Sequence, residues 1–254
     1  MRPQPDWLIT DDVDHVEVEL GNLKTGKEAE VFVIERSYAG RSCLLAHKRY
    51  RPRNVTQKGE LAALGFQRVN TFMNDFAYRD GRRMAKSRDQ RAVERMTTYG
   101  KTLVTSRWTG HELDVMQKAW AAGVNVPYPV GTRGDGMLMQ FVGDEDGAAP
   151  RLAQARLSRD DVGHAYTQLV DNLRLLLEAG FVHSDLSAYN LLWWKDELWL
   201  IDFPQAVDVR AHPGAFDLLH RDVTNVGTWF AKQGVDVDIN ELFTDLVVRT
   251  YENG

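Results

Sequence analysis

The sequence holds one cysteine, Cys43, so no internal disulfide can form, and no Cys/His cluster has the spacing of a zinc site. Thiol redox chemistry and a structural metal of that kind have no support. No apolar run approaches the roughly 18 residues needed to span a bilayer, and the N-terminus MRPQPDWLITDDVDHVEVEL lacks the basic-then-apolar order of a signal segment. A cytoplasmic protein without membrane contact is expected. There is no internal repeat, no low-complexity linker and no GxGxxG. What is present, 43% hydrophobic and 26% charged residues over 254 positions, suits an ordinary globular chain of one domain or two packed lobes.

Charge of one sign is also scarce locally. Between Arg49 and Arg107 stand 14 Lys/Arg against five Asp/Glu, so this segment carries +9 and the remainder −14 of the net −5. A solvated helical surface is the plain reading, and a docking surface for an acidic partner such as RNA is the sharper one. The aromatics there, Phe66, Phe72, Phe76 and Tyr78, are spaced as much for packing as for base stacking.

Val16 to Leu20 alternates acidic and apolar residues and Val31 to Ile34 is β-branched and aromatic, which predicts two strands around the turn GNLKTGKEAE. A third strand is expected in CLLAHKRY. Gln57 to Tyr78 and Asp89 to Thr98 read as helical. Thr109 is placed to cap a helix carrying Leu113, Met116 and Trp120, and Pro127 and Pro129 break the chain before a strand at MLMQFV. Ser158 with Asp161 forms a capping-box signature, followed by Val162, Tyr166, Leu169, Leu173 and Leu177 on one helical face up to Gly180. LLWW, the turn KDE and LWLIDF predict a hairpin, and Ala215 to Lys232 and Asn240 to Tyr251 predict helices. Strands, a helix, more strands and then mostly helices imply an α+β fold in two lobes.

The densest chemistry lies in FVHSDLSAYNLLWWKDELWLIDF, Phe181 to Phe203. Asp185 follows a strand end and His183, Asn190 comes five residues later, and the hairpin folds Asp202 back beside the first loop. Two carboxylates and an amide oxygen then converge, a donor set that suits a hard divalent cation. Singly, His183, Asp185 and Asn190 read as loop residues. Asp202 is harder to dismiss, because a carboxylate directly after LWLI is costly to bury unless paired or metal-bound. Glycosidase chemistry also uses two carboxylates but leaves the asparagine unexplained.

A site of this kind that handles a nucleoside triphosphate needs a phosphate loop, a lysine and a partner for that lysine. TGKEAE, Thr25 to Glu30, lies between two strands; Lys48 ends an apolar strand; Glu112 lies on the helix with Leu113 and Met116. Each alone is weak. Their order, loop, strand lysine, helix glutamate, strand, HxD-x4-N and strand-Asp, is the order of parts in a protein kinase.

At these motifs the sequence resembles the RIO family of atypical protein kinases, its RIO1 branch most closely, over roughly Leu20 to Phe230. TGKEAEVF is similar to the family's STGKEA phosphate loop, HSDLSAYNLL to its HxDLSxYN catalytic loop, IDFPQAVD to its IDxxQ metal loop, MLMQFVGDEDGAAPRL to its hinge region and HPGAFDLLHRDVTNV to the segment after the metal loop. The resemblance implies a bilobal kinase fold with an N-lobe at 1–138 that includes a basic insertion at about 51–107, a hinge at 139–142 and a C-lobe at 143–254. It implies ATP and Mg²⁺ as cofactors, with Mn²⁺ as a substitute.

It also implies roles. Asp185 orients or deprotonates the acceptor hydroxyl, Asn190 and Asp202 hold the metal, and Lys48 meets the α/β-phosphates and pairs with Glu112. Thr25, Gly26, Lys27 and Glu28 form the phosphate loop, and Met139, Phe141 and Val142 face the adenine. Family members are described as ATPases that form an aspartyl-phosphate, which makes Asp202 a candidate acceptor too.

Three features depart from the pattern or match it weakly. Pro204 replaces the usual serine and fixes one φ in the metal loop, and HSD stands for HAD or HGD. The stretch from Lys48 to Glu112 matches weakly and contains Ser87, a candidate autophosphorylation site. An APE motif is absent, as in the family, and with 52 residues after Asp202 a conventional activation segment does not fit, nor does a winged-helix domain before the loop. The expected activity is serine/threonine phosphorylation with ATP hydrolysis. An ATP-gated ribonucleoprotein-binding protein, touching RNA or a ribosomal particle through segment 49–107, and a small-molecule kinase of the aminoglycoside phosphotransferase kind are the alternatives.

Overall fold

The computed structural model describes residues 2–10, 13–26, 29–51, 98–134 and 136–252. The expected helices at Gln57–Tyr78 and Asp89–Thr98 fall outside this set, apart from Thr98 itself, and so does Ser87. The N-terminal half is a five-stranded antiparallel sheet in the order β1-β2-β3-β5-β4, with β1 Val16–Thr25, β2 Ala29–Tyr38, β3 Arg41–Tyr50, β4 Pro129–Arg133 and β5 Gly136–Gln140. The turn expected at GNLKTGKEAE is shorter than its sequence suggests. β1 continues to Thr25 through two irregularities, between Glu19 and Gly21 and between Asn22 and Lys24, each absorbing one residue without ending the pairing. Pro129 opens β4 rather than merely breaking the chain, a first-strand position that needs no ladder N–H.

The two faces of the sheet have different work. Ile34, Cys43, Leu45 and Leu138 pack with Leu8 and Ile9 of the N-terminal segment. Arg36 is fully buried beside them because its guanidinium donates to Glu17 Oε1 at 3.0 and 2.6 Å and to the Ile9 carbonyl at 3.0 Å, which satisfies a charge that would otherwise be too costly to bury. The opposite face carries Lys48 and, through the pairing Lys48↔Met137, meets α1, Thr98–Ala121. Thr109 does not cap this helix. It lies buried in its interior, since the helix is already formed at Thr98, eleven residues earlier.

The principal core joins the second half of α1 (Val115, Met116, Ala119, Trp120) to the C-terminal half. There α2 Arg159–Glu178, α3 Ala215–Lys232 and α4 Ile239–Glu252 surround short pairs of strands, β8 Phe181–Val182 with β11 Val207–Asp208 and β9 Leu191–Trp194 with β10 Glu197–Leu200, while β6 Gly143–Asp144 and β7 Gly147–Ala148 form a small hairpin after the sheet. The capping box forms as expected, Ser158 Oγ accepting from Asp161 N–H at 3.2 Å and Asp161 Oδ2 from Ser158 N–H at 3.2 Å. Gly180 ends α2 with φ +89°, and the β9–β10 turn holds two residues, Lys195 and Asp196, with φ of 50° and 61°, the left-handed pair of a type I′ turn that matches strand twist. Phe141 and Val142 link the halves, and an α+β bilobal architecture is the result.

Candidate active site

Lys48 reaches from β3 into the cleft between the halves and is nearly buried. Its Nζ donates to both oxygens of Glu112 on α1, at 2.7 and 3.0 Å, and to Asp202 Oδ1 at 2.6 Å. Glu112 is fully buried and also accepts from the Phe203 N–H at 2.9 Å. One carboxylate therefore ties β3, α1 and the loop after β10 together. Asp202 keeps 40% of its side chain exposed, so it faces the open cleft.

The shifts of these groups follow from their contacts. Burial by itself would lower the Lys48 pKa, but Asp202 and Glu112 outweigh it and hold the ammonium charged well above its ordinary range. Asp202 is held below the usual carboxylate range, first by the Lys48 charge. Glu112 is pushed up by burial, opposed by Lys48. Two carboxylates on one ammonium leave the cluster net negative, which a cation can relieve.

The lower wall is the loop from His183 to Asn190. Asn190 Nδ2 donates to the Asp185 carbonyl at 2.8 Å, and its own carbonyl accepts from Ile201 N–H at 3.0 Å. His183 Nε2 and the Ile201 carbonyl are 3.1 Å apart, with Nε2–H donating, and the His183 ring lies 4.7 Å from that of Phe203. The loops bearing Asp185, Asn190 and Asp202 are thus stitched side by side. With Nδ2 engaged, Asn190 presents Oδ1; an amide oxygen and a carboxylate oxygen are the donors that a hard divalent cation takes. Among the described residues no group of three or more His, Cys, Asp or Glu side chains forms a metal cluster.

Two departures in the motifs acquire meanings. Ser184 adopts φ 60° and its hydroxyl donates to the Gln205 carbonyl, so this serine adds a tie to the loop after Asp202 that neither alanine nor glycine provides. Pro204 is the second residue of a turn closed by Ala206 N–H to Phe203 O at 3.0 Å, where its fixed φ is the required one. Asp202 itself has φ 75°, strain that the surrounding bonds must hold.

The remaining site residues lie further out. Met139 belongs to β5, paired with Ala46. Phe141 N–H donates to Leu44 O at 3.3 Å and Val142 O accepts from Ala149 N–H at 2.9 Å; among the described residues Phe141 O and Val142 N–H have no backbone partner. A groove of about 1290 Å³ passes this connection, walled by the N-terminal segment 2–7, by residues 20–23, Val33 and Leu44 of the sheet, and by Phe141, Val142 and Trp199; it stops short of the charged cluster. Thr25 Oγ1 donates to Asn22 Oδ1 at 3.2 Å and Gly26 N–H to Ala29 O at 2.9 Å, closing the tip between β1 and β2. Lys27 and Glu28 fall outside the described residues.

The family model RIO1, described as RIO domain, matches residues 54–242. The chain belongs to the RIO family. This RIO chain is 33% identical over 240 residues to the RIO-type serine/threonine-protein kinase Rio1 of Haloferax volcanii, covering 94% of itself and 72% of that protein. It is 31% identical to serine/threonine-protein kinase RIO3 of Mus musculus, over 87% of itself but 40% of that protein. In fold it is similar to the crystal structure of the Rio2 kinase from Chaetomium thermophilum, with a TM-score of 0.59 at 18% identity, covering 91% of this chain and 63% of that one. No described helix of this RIO protein is long and apolar enough to cross a membrane.

Sequence reasoning missed the residue that holds the lower wall. Asp222, buried on α3, accepts from Ser184 N–H at 2.6 Å and Leu186 N–H at 3.0 Å, gripping the backbone on both sides of Asp185. Burial raises its pKa, and His183 and the two N–H groups oppose that. Arg221 adds a bond to Ser184 O and Asn225 one to Leu186 O at 3.3 Å. The signal was available in the RIO sequence: Ala215, Leu219, Asp222, Val223 and Val226 share the apolar stripe of α3, where an aspartate needs a buried partner. His111, whose Nε2 lies 2.9 Å from Ala206 O, carried no such signal.

Proposed function

We propose that this atypical serine/threonine-protein kinase transfers the γ-phosphoryl group of MgATP in line to a Ser or Thr hydroxyl held at Asp185. The observation that carries the reading is the position of Lys48, bonded at once to Glu112 and Asp202 at the mouth of the loop bearing Asp185 and Asn190. Phosphoryl transfer asks the protein chiefly for positioning and charge stabilisation. Glu112 fixes the lysine, and Lys48 is the cation offered to the α/β-phosphates. Asp185 accepts or orients the acceptor proton. Asn190 and Asp202 would hold Mg²⁺, which when bound draws charge from the β- and γ-phosphate oxygens. The groove past Phe141 and Val142 takes the adenine, with Phe141 O and Val142 N–H for its edge.

The acceptor is a protein hydroxyl, in a cytoplasmic setting. Segment 49–107 is the proposed contact for RNA or a ribosomal particle. ATP hydrolysis through Asp202 is a second reading of the same site, supported by the 40% exposure of that carboxylate beside the lysine.

The test is incubation of the purified chain with MgATP, reading intact mass and released phosphate beside Asp185→Asn. A stable Ser/Thr adduct lost by a factor of about 10² or more in the variant, with nucleotide binding retained, is the expected result. Wild-type turnover in the variant contradicts the role of Asp185. A hydroxylamine-sensitive adduct with steady phosphate release moves the main activity to hydrolysis at Asp202.

A further inference from the structure

Two cations outside the Lys48 cluster border the cleft, Lys24 on the sheet and Arg151 in the C-terminal half. In the sheet, Lys24 pairs with Val31 and Val31 with Lys48, so the three lie in one cross-strand row. Directly paired residues project from the same face, and the face of Lys48 is the one that reaches Asp202. Lys24 immediately precedes the Thr25–Gly26 tip, and the family loop quoted above begins with serine at this place.

On the opposite wall Arg151 bridges to Leu192, held by Leu152 N–H to Leu191 O at 2.8 Å and Trp193 N–H to Pro150 O at 3.1 Å. Leu192 packs against Val142 of the connection and Ala149, so the side it shares with Arg151 is the floor of the cleft, next to Asn190. Burial lowers the pKa of Lys24, and Arg151 is the next cause, with Asp202 and Lys48 also acting on it. Arg151, Asp202 and Lys48 therefore all act electrostatically on Lys24, in keeping with the strand row that sets it on the face of Lys48.

The charges explain why such a pair is needed. Lys48 is already matched by Glu112 and Asp202, and Asp185 adds a further carboxylate, so the inner cleft is net negative before a triphosphate enters. One divalent cation offsets the protein carboxylates but not the phosphates as well. Further cations bordering the cleft can meet the added charge of the terminal phosphates, where charge redistributes during transfer.

We propose that Lys24 and Arg151 form a two-sided clamp on the terminal phosphates of the nucleoside triphosphate, Lys24 from the sheet and Arg151 from the C-terminal half. The proposal deepens the kinase reading and rests on it. Both residues act as positioning groups that sense phosphate number and leave the adenine contacts alone.

The experiment measures binding of adenosine, ADP and a β,γ-imido ATP analogue, with Mg²⁺, to the wild-type chain and to Lys24→Ser, Arg151→Ala and Lys48→Ala. The expected result is a loss of about tenfold in analogue affinity for Lys24→Ser and for Arg151→Ala, a smaller loss for ADP and none for adenosine, with recovery in Lys24→Arg and Arg151→Lys. Retained adenosine binding certifies the fold of each variant; one that loses it is replaced by Lys24→Gln or Arg151→Gln and read in the same way. Unchanged analogue affinity, or an equal loss for adenosine that persists in the glutamine replacement, overturns the clamp. If the analogue binds the wild type and weakens in Lys48→Ala but not in the two clamp variants, the clamp alone falls. If the wild type does not bind the analogue at all, the kinase reading falls and the clamp with it.

Discussion

The two walls of the cleft hold their functional groups by opposite means. The upper wall is a sheet whose edge strand β1 is exposed along nearly its whole length, and it presents Lys48 through charge, one ammonium against Glu112 and Asp202. The lower wall presents Asp185 through burial and backbone bonds, with Asp222 bonded to the N–H groups of Ser184 and Leu186 inside an apolar core. An ion pair at a cleft mouth weakens or strengthens with every charge that enters, whereas a buried carboxylate on two N–H groups answers only to local unfolding. The first arrangement suits a group that must respond to ligand. The second suits one that must stay still.

The largest effect expected from this contrast is on the lower wall. Asp222→Ala leaves two buried N–H groups without acceptors and should cost about 4 kcal/mol of stability, read by urea unfolding, and turnover should fall although Asp222 lies behind the loop bearing Asp185. A stability equal to that of wild type would mean that the loop is held by other bonds. Lys48→Met comes next, at about 3 kcal/mol, because Glu112 is left buried without its counter-charge. Raising the ionic strength should change the stability difference between wild type and Lys48→Met little, since this pair is shielded from solvent; a strong salt dependence of that difference would place the pair at the surface.

Acid sharpens the contrast further. Asp202 has its pKa depressed by Lys48, so the stability it contributes is complete above the ordinary carboxylate value of about 3.9 and is lost as pH falls through its folded value. Asp202→Asn removes that acid limb, and its stability relative to wild type should rise on acidification in this window. Glu112, shifted up first by burial and also by the Asp202 charge, contributes in the opposite sense and is partly relieved in the variant, so the difference reports the Lys48–Asp202–Glu112 cluster. A difference that stays flat with pH would show that Lys48 does not stabilise the Asp202 charge. The smallest effect is in the β9–β10 turn, where Asp196→Gly relieves a left-handed φ of 61° and should stabilise by about 0.5 kcal/mol, visible as a small rise in melting temperature.

How much was legible follows the range of each interaction. The capping box at Ser158 and Asp161, the apolar face of α2 and the extent of α3 emerge where the residue pattern places them, because each depends on neighbours three or four positions away. Thr109 misled for the same reason. A threonine before an apolar run looks like a cap, and nothing local reveals that the helix has already begun at Thr98. The start of β4 at Pro129 and the extension of β1 to Thr25 were hidden because pairing with a neighbouring strand, not local propensity, decides them.

By itself the sequence determined the parts: an HxD-x4-N loop, an aspartate after an apolar strand, a strand lysine, a helical glutamate and their order. Side-chain chemistry and short spacing suffice for those. Only the tertiary structure decided the meetings. Lys48 joins Asp202 across 154 positions and Glu112 across 64, and Asp222 finds the N–H groups beside Asp185 across 38 and 36. Such contacts leave no periodic trace, because they arise when the apolar faces of α1, α2 and α3 close on one core and bring distant polar groups to places where water can no longer satisfy them.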